Sequence, residues 1–340
     1  MGRCDGRQGK SENNMTMQNT NGETGAVHAV VSAIKWQGSH LQLLDQRLLP
    51  HTEVWLDISD LQQAIDAIRD LVVRGAPAIG ITAAYACVLA ARARACHSDP
   101  DWPSSWRDDC QRLLQARPTA VNLRWAIAAM QQVLDAAGVG DSVPAAIDTQ
   151  ALLTTLEQRA WQIQQQDLAA NQRLADYGSA LLSADSTVLT HCNTGALATA
   201  GIGTAIGVIV QAHALGKVKQ VYADETRPWL QGSRLTEWEL HRAGVPCQVI
   251  IDAAAAWLMA CRQVDWLIVG ADRIAANGDV ANKIGTYQAM LAARHHGVRT
   301  MVVAPWPTVD VGTDSGAVIE IELRDGDEVL TFQGQRVARA

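Results

Sequence analysis

Chemically capable side chains follow the short apolar runs in the second half of the chain, each where a run ends. These side chains belong to His191, Cys192, Asn193, Asp224, Glu225, Arg227, Asp252, Asp272 and Arg273. In an open parallel sheet, ligands bind at the carboxyl ends of the strands. If the apolar runs are parallel strands, these residues therefore converge on one site.

Two of these residues are candidates for acid–base chemistry. Cys192 lies in a turn that we place at the N-terminus of a predicted helix, where the helix dipole and free N–H groups favour a thiolate. The alternative for a lone cysteine is a small buried apolar residue. Asp272 follows the apolar run 266–270. Partial desolvation there would keep its carboxyl group protonated near neutral pH, as a general acid requires, although a turn or capping aspartate is the simpler alternative.

The segment 190–208, THCNTGALATAGIGTAIGV, contains glycines that resemble a dinucleotide-binding loop. In that fingerprint the first glycine closes the turn directly after the strand. Gly201 comes well past the predicted strand end, so we predict that Gly201, Gly203 and Gly207 lie inside a helix and allow it to pack closely on the sheet. Asp224 follows at about 20 residues, as the ribose ligand of the fingerprint does, so NAD binding stays as the weaker alternative.

Basic residues at helix boundaries provide candidate anion contacts. Arg74 and Arg117 each lie beside a predicted helix end, in RGAP and RPT. Arginine suits bidentate phosphate binding, although a surface role is the default for either residue taken singly. The turn predicted at 277–279, Asn-Gly-Asp, would fold Asn282 and Lys283 back toward the same site.

Composition excludes several classes of protein. The 340 residues suffice for two domains, the hydrophobic fraction of 48% is that of a soluble globular protein, and the net charge of -7 disfavours a nucleic-acid surface. The seven cysteines form no CxxC pair, which favours reduced thiols over disulfides or a zinc site. The apolar run 195–210, which is rich in Gly, Ala and Thr, is too short to span a membrane. We expect a cytoplasmic protein.

The pattern of apolar residues divides the chain into three parts. Residues 1–26 are polar without an apolar stretch, and we interpret them as a disordered leader rather than a signal peptide. Residues 27–180 begin with two alternating runs, 31–36 and 41–48, that predict a hairpin, and continue with helical spacing. Residues 181–340 alternate strand and helix patterns, which predicts a Rossmann-like parallel sheet. The predicted fold class is α/β.

The predicted strands and helices of the second part have definite positions. We predict strands at 187–190, 218–223, 248–251, 266–270 and 300–304, and helices at 196–214, 235–243, 253–261 and 284–295.

Five blocks of sequence resemble a known family. They are VRGAPAIGITAAYA (73–86), RPTAVNLRWA (117–126), THCNTGALATAGIGTAIGV (190–208), DETRPWLQGSRLTEWEL (224–240) and GADRIAANGDVANKIGTYQ (270–288). The chain resembles the S-methyl-5-thioribose-1-phosphate isomerases, in the superfamily that includes regulatory subunits of the eukaryotic initiation-factor exchange complex. The resemblance implies a small helical N-terminal domain with a hairpin, a Rossmann-like domain and a homodimer. It also implies a phosphorylated-sugar substrate in methionine salvage and no metal or nucleotide cofactor.

The resemblance also assigns roles to residues. It implies that Cys192 and Asp272 are the catalytic pair. It implies substrate contacts for Arg74, Gly75, Ala76, Arg117, Gln231, Asn282 and Lys283.

Three points stay open at this stage. Family members usually continue into a further strand and helix where this chain stops at Ala340, so we expect a Rossmann-like domain without those elements. The substrate alternatives are a related 1-phosphorylated pentose, such as ribose 1,5-bisphosphate or 5-deoxyribose 1-phosphate. A non-catalytic regulatory-subunit homologue is the alternative from another class of protein.

Overall fold

The computed structural model describes residues 31–96, 101–144, 147–332 and 334–339, so the predicted leader at 1–26 lies outside the described residues. The first part of the described chain contains a small antiparallel sheet and five helices. Their bounds are β1 Ile34–Trp36, β2 Leu41–Leu44, β3 Trp55–Ile58, α1 Leu61–Arg69, α2 Ala76–Ala95, α3 Trp102–Leu114, α4 Val121–Ala136 and α5 Thr149–Ala180. The predicted hairpin of β1 and β2 is confirmed, with Ile34 opposite Leu43, and β3, which we did not predict, extends it.

Helix α2 is the centre of the first part. It is apolar on all sides, and its residues from Ala78 to Ala91 are buried among α1, α3, α4 and α5. A helix that is hydrophobic all round is stable only where all its faces are covered. By length and composition α2 would also qualify as a membrane span, but 83% of its apolar window is buried inside the fold.

The second part is built on a parallel sheet. Its main elements are β4 Ser186–Thr190, α6 Ala205–Ala214, β5 Val218–Asp224, α7 Glu237–Arg242, β6 Cys247–Ile250, α8 Ala254–Ala260, β7 Trp266–Val269, β8 Arg273–Ala275, β9 Val280–Ala281, α9 Thr286–His296 and β10 Arg299–Val302. Short elements follow at β11 Val309–Asp310, α10 Asp327–Leu330, β12 Thr331–Phe332 and β13 Gln335–Arg336. The five-stranded sheet has the order β10-β7-β4-β5-β6, with parallel neighbours throughout. All five predicted strands and the α/β class are confirmed.

Both faces of this sheet are covered, which explains its apolar strands. Val188 and Ile268 belong to a buried cluster with α6, whereas Leu189 and Leu267 belong to a cluster with α8 and α9. Side chains alternate between the faces of a strand, so a strand buried on both faces shows a continuous apolar run.

One predicted helix is shorter in the structure. The run 196–214 forms a single 3₁₀ turn, Ala196–Ala198, and a buried loop before α6 begins at Ala205. The prediction is wrong for Gly201 and Gly203, which lie in the loop, and right for Gly207, which lies in α6. Gly203 has φ of 93°, and a Cβ atom there would lie 2.6 Å from the Cα atom of Gly195. Glycine at this position allows two chain segments to cross in close contact. The spacing of apolar residues does not reveal such a contact.

Candidate active site

The order of the strands creates a crevice between β4 and β7. From β4 the chain proceeds to β5 and β6 on one side and then returns to β7 on the other side. Ligands of open α/β sheets bind at such a switch point, outside the carboxyl ends of the strands. A cleft of about 800 Å³ of empty space, partly open to solvent, lies there. Cys192 after β4 and Asp272 after β7 both line it.

The start of α2 closes the cleft from the side of the helical part. Gly75 precedes the helix with φ of 91°, and a Cβ atom on it would lie 2.5 Å from the Cβ atom of Ala198. Glycine therefore permits the close contact between α2 and the turn after β4. The first N–H groups of a helix have no partner within it and favour an anion. Ala76 and Pro77, the first residues of α2, line the cleft.

The structure brings all the predicted site residues together in this cleft: Arg74, Gly75, Ala76, Arg117, Cys192, Gln231, Asp272, Asn282 and Lys283. They divide into two groups by exposure. We call Arg74, 192–199 and Gln231 the inner wall, since all of these residues are buried. We call Arg117, Asp272, Asn282, Lys283 and Arg324 the outer wall, since each is partly or fully exposed.

Arg74 is the main positive charge of the inner wall. Its Nη1 atom donates to the Asn193 carbonyl oxygen at 2.9 Å, and Nε donates to Oε1 of Gln46 at 3.2 Å. Burial lowers the pKa of Arg74, while the acidic groups of Cys192, Glu239 and Asp272 act in the opposite direction. The guanidinium group is thus held rigidly, with one edge toward the cleft.

The backbone fixes the position of the Cys192 thiol. Cys192 has φ of 65°, an unusual conformation for a side chain other than glycine. Its N–H group donates to Oγ1 of Thr226 at 2.9 Å, and its carbonyl oxygen accepts from Oγ1 of Thr236 at 2.6 Å. Such strain persists only where surrounding contacts determine it, and it clusters at functional sites. The prediction that a helix begins beside Cys192 is wrong, because α6 starts only at Ala205.

Glu239 supports the inner wall, and the sequence did not predict this role. Its Oε1 atom accepts from Nδ2 of Asn193 at 2.7 Å, and its Oε2 atom accepts from the N–H group of Leu197 at 3.4 Å. Burial raises the pKa of Glu239, and the Asn193 bond and the Arg74 charge partly offset this effect. Nothing in the pattern of α7 distinguishes this carboxylate from its neighbour Glu237.

The cleft contains an unusual number of unpaired polar atoms. Six buried side-chain atoms of cleft residues have no hydrogen-bond partner among the described residues: Nη2 of Arg74, Nε of Arg117, Oδ1 of Asn193, Oγ1 of Thr194, Nε1 of Trp229 and Oε1 of Gln231. Most buried polar atoms in proteins are hydrogen-bonded. This set combines donors with acceptors, as a ligand with both hydroxyl groups and an anionic group requires.

The outer wall is carried by a hairpin. The turn predicted at 277–279 is confirmed, with the N–H group of Asp279 donating to Oδ1 of Asn277 at 3.0 Å. Strands β8 and β9 lead from this turn and place Asn282 and Lys283 at the cleft.

The exposure of the Asp272 side chain differs from the prediction. The expectation that an apolar strand shields it is wrong, because the chain has left the sheet at Gly270 and the side chain is exposed. The N–H group of Asp272 donates to the Ala281 carbonyl oxygen at 2.9 Å, so its backbone is held by the start of the hairpin. The carboxyl group therefore faces the solvent-filled part of the cleft.

Arg117 is paired with an acidic residue of the C-terminal segment. Its Nη2 atom donates to Oε2 of Glu322 at 2.7 Å, and Nη1 of Arg324 donates to Oε1 of Glu322 at 2.9 Å. Partial burial raises the pKa of Glu322, but the two arginines outweigh this effect and lower it. The sequence analysis did not include Glu322 or Arg324, because no motif marks this segment.

A buried cluster behind the cleft holds the donor types that metals use. His191, Asp224 and Asp252 place one ligand atom each within 4.8 Å of one another. Nδ1 of His191 lies 2.8 Å from Oδ2 of Asp224, and the two oxygens of Asp252 accept from the N–H groups of Thr226 and Arg227 at 2.8 Å. These four atoms are engaged in hydrogen bonds, whereas Oδ1 of Asp224 is buried without a partner among the described residues. Because Asp224 is buried and bonded to His191, it does not present a carboxylate to a ribose hydroxyl, which counts against the NAD alternative.

Comparison with known proteins places this fold and cleft in a family. The model of the Initiation factor 2 subunit family matches residues 72–340. The chain belongs to this family.

Two relatives match most of this chain. A methylthioribose-1-phosphate isomerase of Thioalkalivibrio sulfidiphilus is 55% identical over 91% of this chain and 85% of its own. A protein of the same name from Alkalilimnicola ehrlichii is 53% identical over 91% of this chain and 86% of its own.

Two solved structures are also similar. The 5-methylthioribose 1-phosphate isomerase of Pyrococcus horikoshii OT3 superposes with a TM-score of 0.81 at 37% identity, covering 92% of this chain and 85% of that chain. The delta subunit of translation initiation factor eIF-2B from A. fulgidus gives a TM-score of 0.76 at 35% identity, covering 91% and 87%.

Proposed function

We propose that this protein is an aldose–ketose isomerase that converts 5-methylthioribose 1-phosphate to 5-methylthioribulose 1-phosphate in methionine salvage. The names of its relatives at 52–55% identity support this reaction. The observation that carries the proposal is the cleft of this chain, in which Cys192 and Asp272 lie beside cationic groups and unpaired polar atoms.

The substrate sets the chemical problem. Its anomeric carbon C1 carries phosphate, so the ring does not open spontaneously to a free aldehyde. The bond between C1 and the ring oxygen must break with a proton delivered to that oxygen. One hydrogen must then move from C2 to C1, and the C2 hydroxyl group must lose its proton to become the ketone.

Asp272 and Cys192 divide this work. Asp272 delivers the proton to the ring oxygen, which becomes a hydroxyl group, and the resulting carboxylate takes up the proton that the C2 hydroxyl group loses, which restores the acid. Cys192 either takes the C2 hydrogen as a proton and returns it to C1, or lies beside a direct hydride shift in the dry inner wall. Exclusion of water protects the opened intermediate in either route.

The cleft's charges suit the phosphate. Arg74, Arg117, Lys283 and Arg324 line the cleft, and the start of α2 adds free N–H groups. Arginine binds phosphate oxygens in pairs, and helix N-termini attract anions. We assign Arg74, Gly75, Ala76, Arg117, Gln231, Asn282 and Lys283 as substrate contacts.

A substrate panel tests the proposal. We would compare kcat/KM for 5-methylthioribose 1-phosphate, 5-deoxyribose 1-phosphate and ribose 1,5-bisphosphate, with ribose 5-phosphate as a control that lacks the anomeric phosphate. The proposal requires the methylthio substrate to lead the panel. A higher kcat/KM for another 1-phosphopentose would reassign the substrate within the same chemistry. Deuterium from solvent at C1 of the product would indicate the proton route. Its absence is expected both for the hydride route and for a proton that Cys192 returns to C1 without exchange.

A second candidate function deserves a direct test. The similarity to the A. fulgidus eIF-2B delta structure favours a role as a translation-factor subunit. Binding of purified initiation factor 2 together with no turnover of any 1-phosphopentose would support this alternative. The unpaired polar atoms in the cleft favour the isomerase, because a purely regulatory subunit has no need of them.

A second copy of this chain is the partner we propose. Ile284, just before α9, and Tyr287 and Leu291 on α9 form an exposed apolar stripe, with 76%, 75% and 50% of their surface accessible. Trp257 of the adjacent α8 is 62% exposed. Apolar patches of this kind mark interaction sites. Light scattering of this protein, which we propose to be a cytoplasmic enzyme, should give the mass of a dimer. Tyr287→Glu should shift the measured mass toward that of the monomer. A monomeric wild type would contradict the assignment.

A further inference from the structure

The ring of His191 connects the two walls of the cleft. It is buried, with 1% of its surface accessible, and it directly precedes Cys192. Its Nε2 atom lies 2.7 Å from the carbonyl oxygen of Ile284, which follows Asn282 and Lys283 in the chain. Gly285 packs on the ring, because a Cβ atom there would lie 2.6 Å from Cε1 of His191. No other side chain could occupy that position without moving the loop.

The partners of His191 determine how many protons the ring needs. A carbonyl oxygen is only an acceptor, so Nε2 must carry a hydrogen to bond to Ile284. Nδ1 lies 2.8 Å from Oδ2 of Asp224, which is also only an acceptor when ionised. A neutral ring with hydrogen on Nε2 would direct a lone pair at a carboxylate. The contact thus requires one proton shared between Nδ1 and the Asp224 carboxyl group.

The surroundings favour keeping this proton. Asp224 is 2% exposed, and burial disfavours its lone negative charge. Asp252 and Glu225 add negative charge on the same side, and Lys283 is the basic residue on the loop across the ring. Cys192 is the titratable neighbour on the strand that carries His191. A shared proton makes the His191–Asp224 pair neutral overall and satisfies both nitrogens.

We propose that His191 is a positioning residue that holds the Asn282–Lys283 loop against the Cys192 turn while the His191–Asp224 pair carries its proton. The proposal rests on the proposed isomerase function for its kinetic consequence. When rising pH removes the proton, Nδ1 and the carboxylate repel each other. The outer wall then loses its tie to the inner wall, so KM for the phosphorylated substrate rises and kcat falls.

Asp224→Asn tests the proton requirement. The amide nitrogen can take the place of Oδ2 and donate to Nδ1, so a neutral ring keeps its Nε2 bond to Ile284. We expect kcat/KM of wild type to fall at least fivefold as the pH rises, which gives an alkaline limb in its pH profile. In Asp224→Asn this limb should be absent or should lie at least about one pH unit higher. Glu225→Gln is the matched control, because it removes a neighbouring negative charge without touching the ring. It should keep the alkaline limb, displaced only toward lower pH, since the charge of Glu225 favours the protonated pair. Identical limbs in wild type and Asp224→Asn would overturn the proposal.

A measurement independent of activity separates this proposal from the function on which it rests. Proton NMR should show a strongly downfield resonance from the hydrogen between Nδ1 and Oδ2 at neutral pH. His191→Gln and Asp224→Asn should both abolish it. If no 1-phosphopentose is turned over but this resonance is present, the proposed isomerase function is contradicted and the shared proton between His191 and Asp224 is supported. Absence of the resonance, or stoichiometric zinc binding by wild type that Asp224→Asn abolishes, would refute the shared proton.

Discussion

The two walls of the cleft are built by opposite means. The inner wall is buried, and the Cys192 turn in it is fixed by bonds to Thr226 and Thr236. The outer wall is exposed, and its contacts include ion pairs such as Arg117 with Glu322, which solvent weakens. The thiol therefore stands in a preorganised, water-poor environment, whereas Asp272 stands in solvent.

This difference indicates which half of the site must change during the reaction. Preorganised groups need no rearrangement when charge develops. An acid that protonates a ring oxygen works best where water is excluded, and Asp272 lacks such shielding in this structure. We infer that substrate binding closes the outer wall over the inner one. Variants in each wall test whether the inner wall is preorganised and the outer wall binds the substrate.

The largest effect should come from the catalytic pair. Cys192→Ser and Asp272→Asn should each fold normally and lose at least about a hundredfold in kcat, the scale of a lost acid–base group. Steady-state kinetics with thermal unfolding as the check on folding measures this. Cys261→Ser, at an exposed cysteine outside the cleft, should keep wild-type rates. A rate within a few-fold of wild type in either variant would remove that residue from the mechanism.

The next effect concerns binding at the outer wall. Arg117→Met and Lys283→Met should raise KM about tenfold or more while lowering kcat less. A bond to a charged group contributes about 1.5–3 kcal/mol, and under the proposed function both cations would bind phosphate in the ground state and in the transition state. Lys219→Met, at an exposed position of β5, is the control for loss of a positive charge. A fall in kcat at constant KM would instead place these cations in the chemical step.

Much of the fold followed from local patterns because those patterns have local causes. The strands around Val188 and Ile268 are apolar because both faces of the sheet are covered, and that produces a continuous run. Helix α2 is likewise apolar on all sides because all its faces are covered. The loop at Gly201–Gly203 was not predicted. Its Gly203 packs against Gly195, and this contact exists only in the folded chain.

The site shows the same limit. Cys192 and Asp272 were identifiable because each follows an apolar strand, and the sheet order brings those strand ends together. Glu239 and Glu322 were not, since their importance comes from burial beside Asn193 and pairing with Arg117. The exposure of Asp272 was also unpredictable, because it depends on how far the chain has left the sheet.

A smaller effect concerns the support of the inner wall. Asp167 of α5 accepts from the N–H group of Ala200 and from Nδ2 of Asn171, both at 2.8 Å. Burial raises the pKa of Asp167 to about 6, although these bonds act in the opposite direction. Because the folded-state pKa lies above the unfolded value, stability is greatest at low pH and falls as pH rises through about 6.

Asp167→Asn should remove this dependence. The amide oxygen keeps the acceptor role, and no charge forms, so the variant should be more stable than wild type at pH 8 by about 1–2 kcal/mol. The two should converge below about pH 4. Denaturant unfolding at both pH values measures the difference. Asp176→Asn, at an exposed position of the same helix, is the control and should show no such trend. A variant less stable than wild type at pH 8 would mean that the ionised carboxylate supports the loop.

The smallest effect should come from Glu322, which tests whether the outer wall is partly occupied by its own chain. Glu322 neutralises Arg117, and a substrate phosphate must compete with it for the guanidinium group. A partly exposed ion pair contributes about 0.2–1 kcal/mol, so Glu322→Gln should lower KM up to about fivefold, with kcat nearly unchanged. Glu320→Gln removes the same charge nearby without an ion pair to Arg117, and its KM should stay closer to wild type. A rise in KM in Glu322→Gln would show instead that the carboxylate orients Arg117 for the phosphate, and the outer wall would then be more preorganised than its exposure suggests.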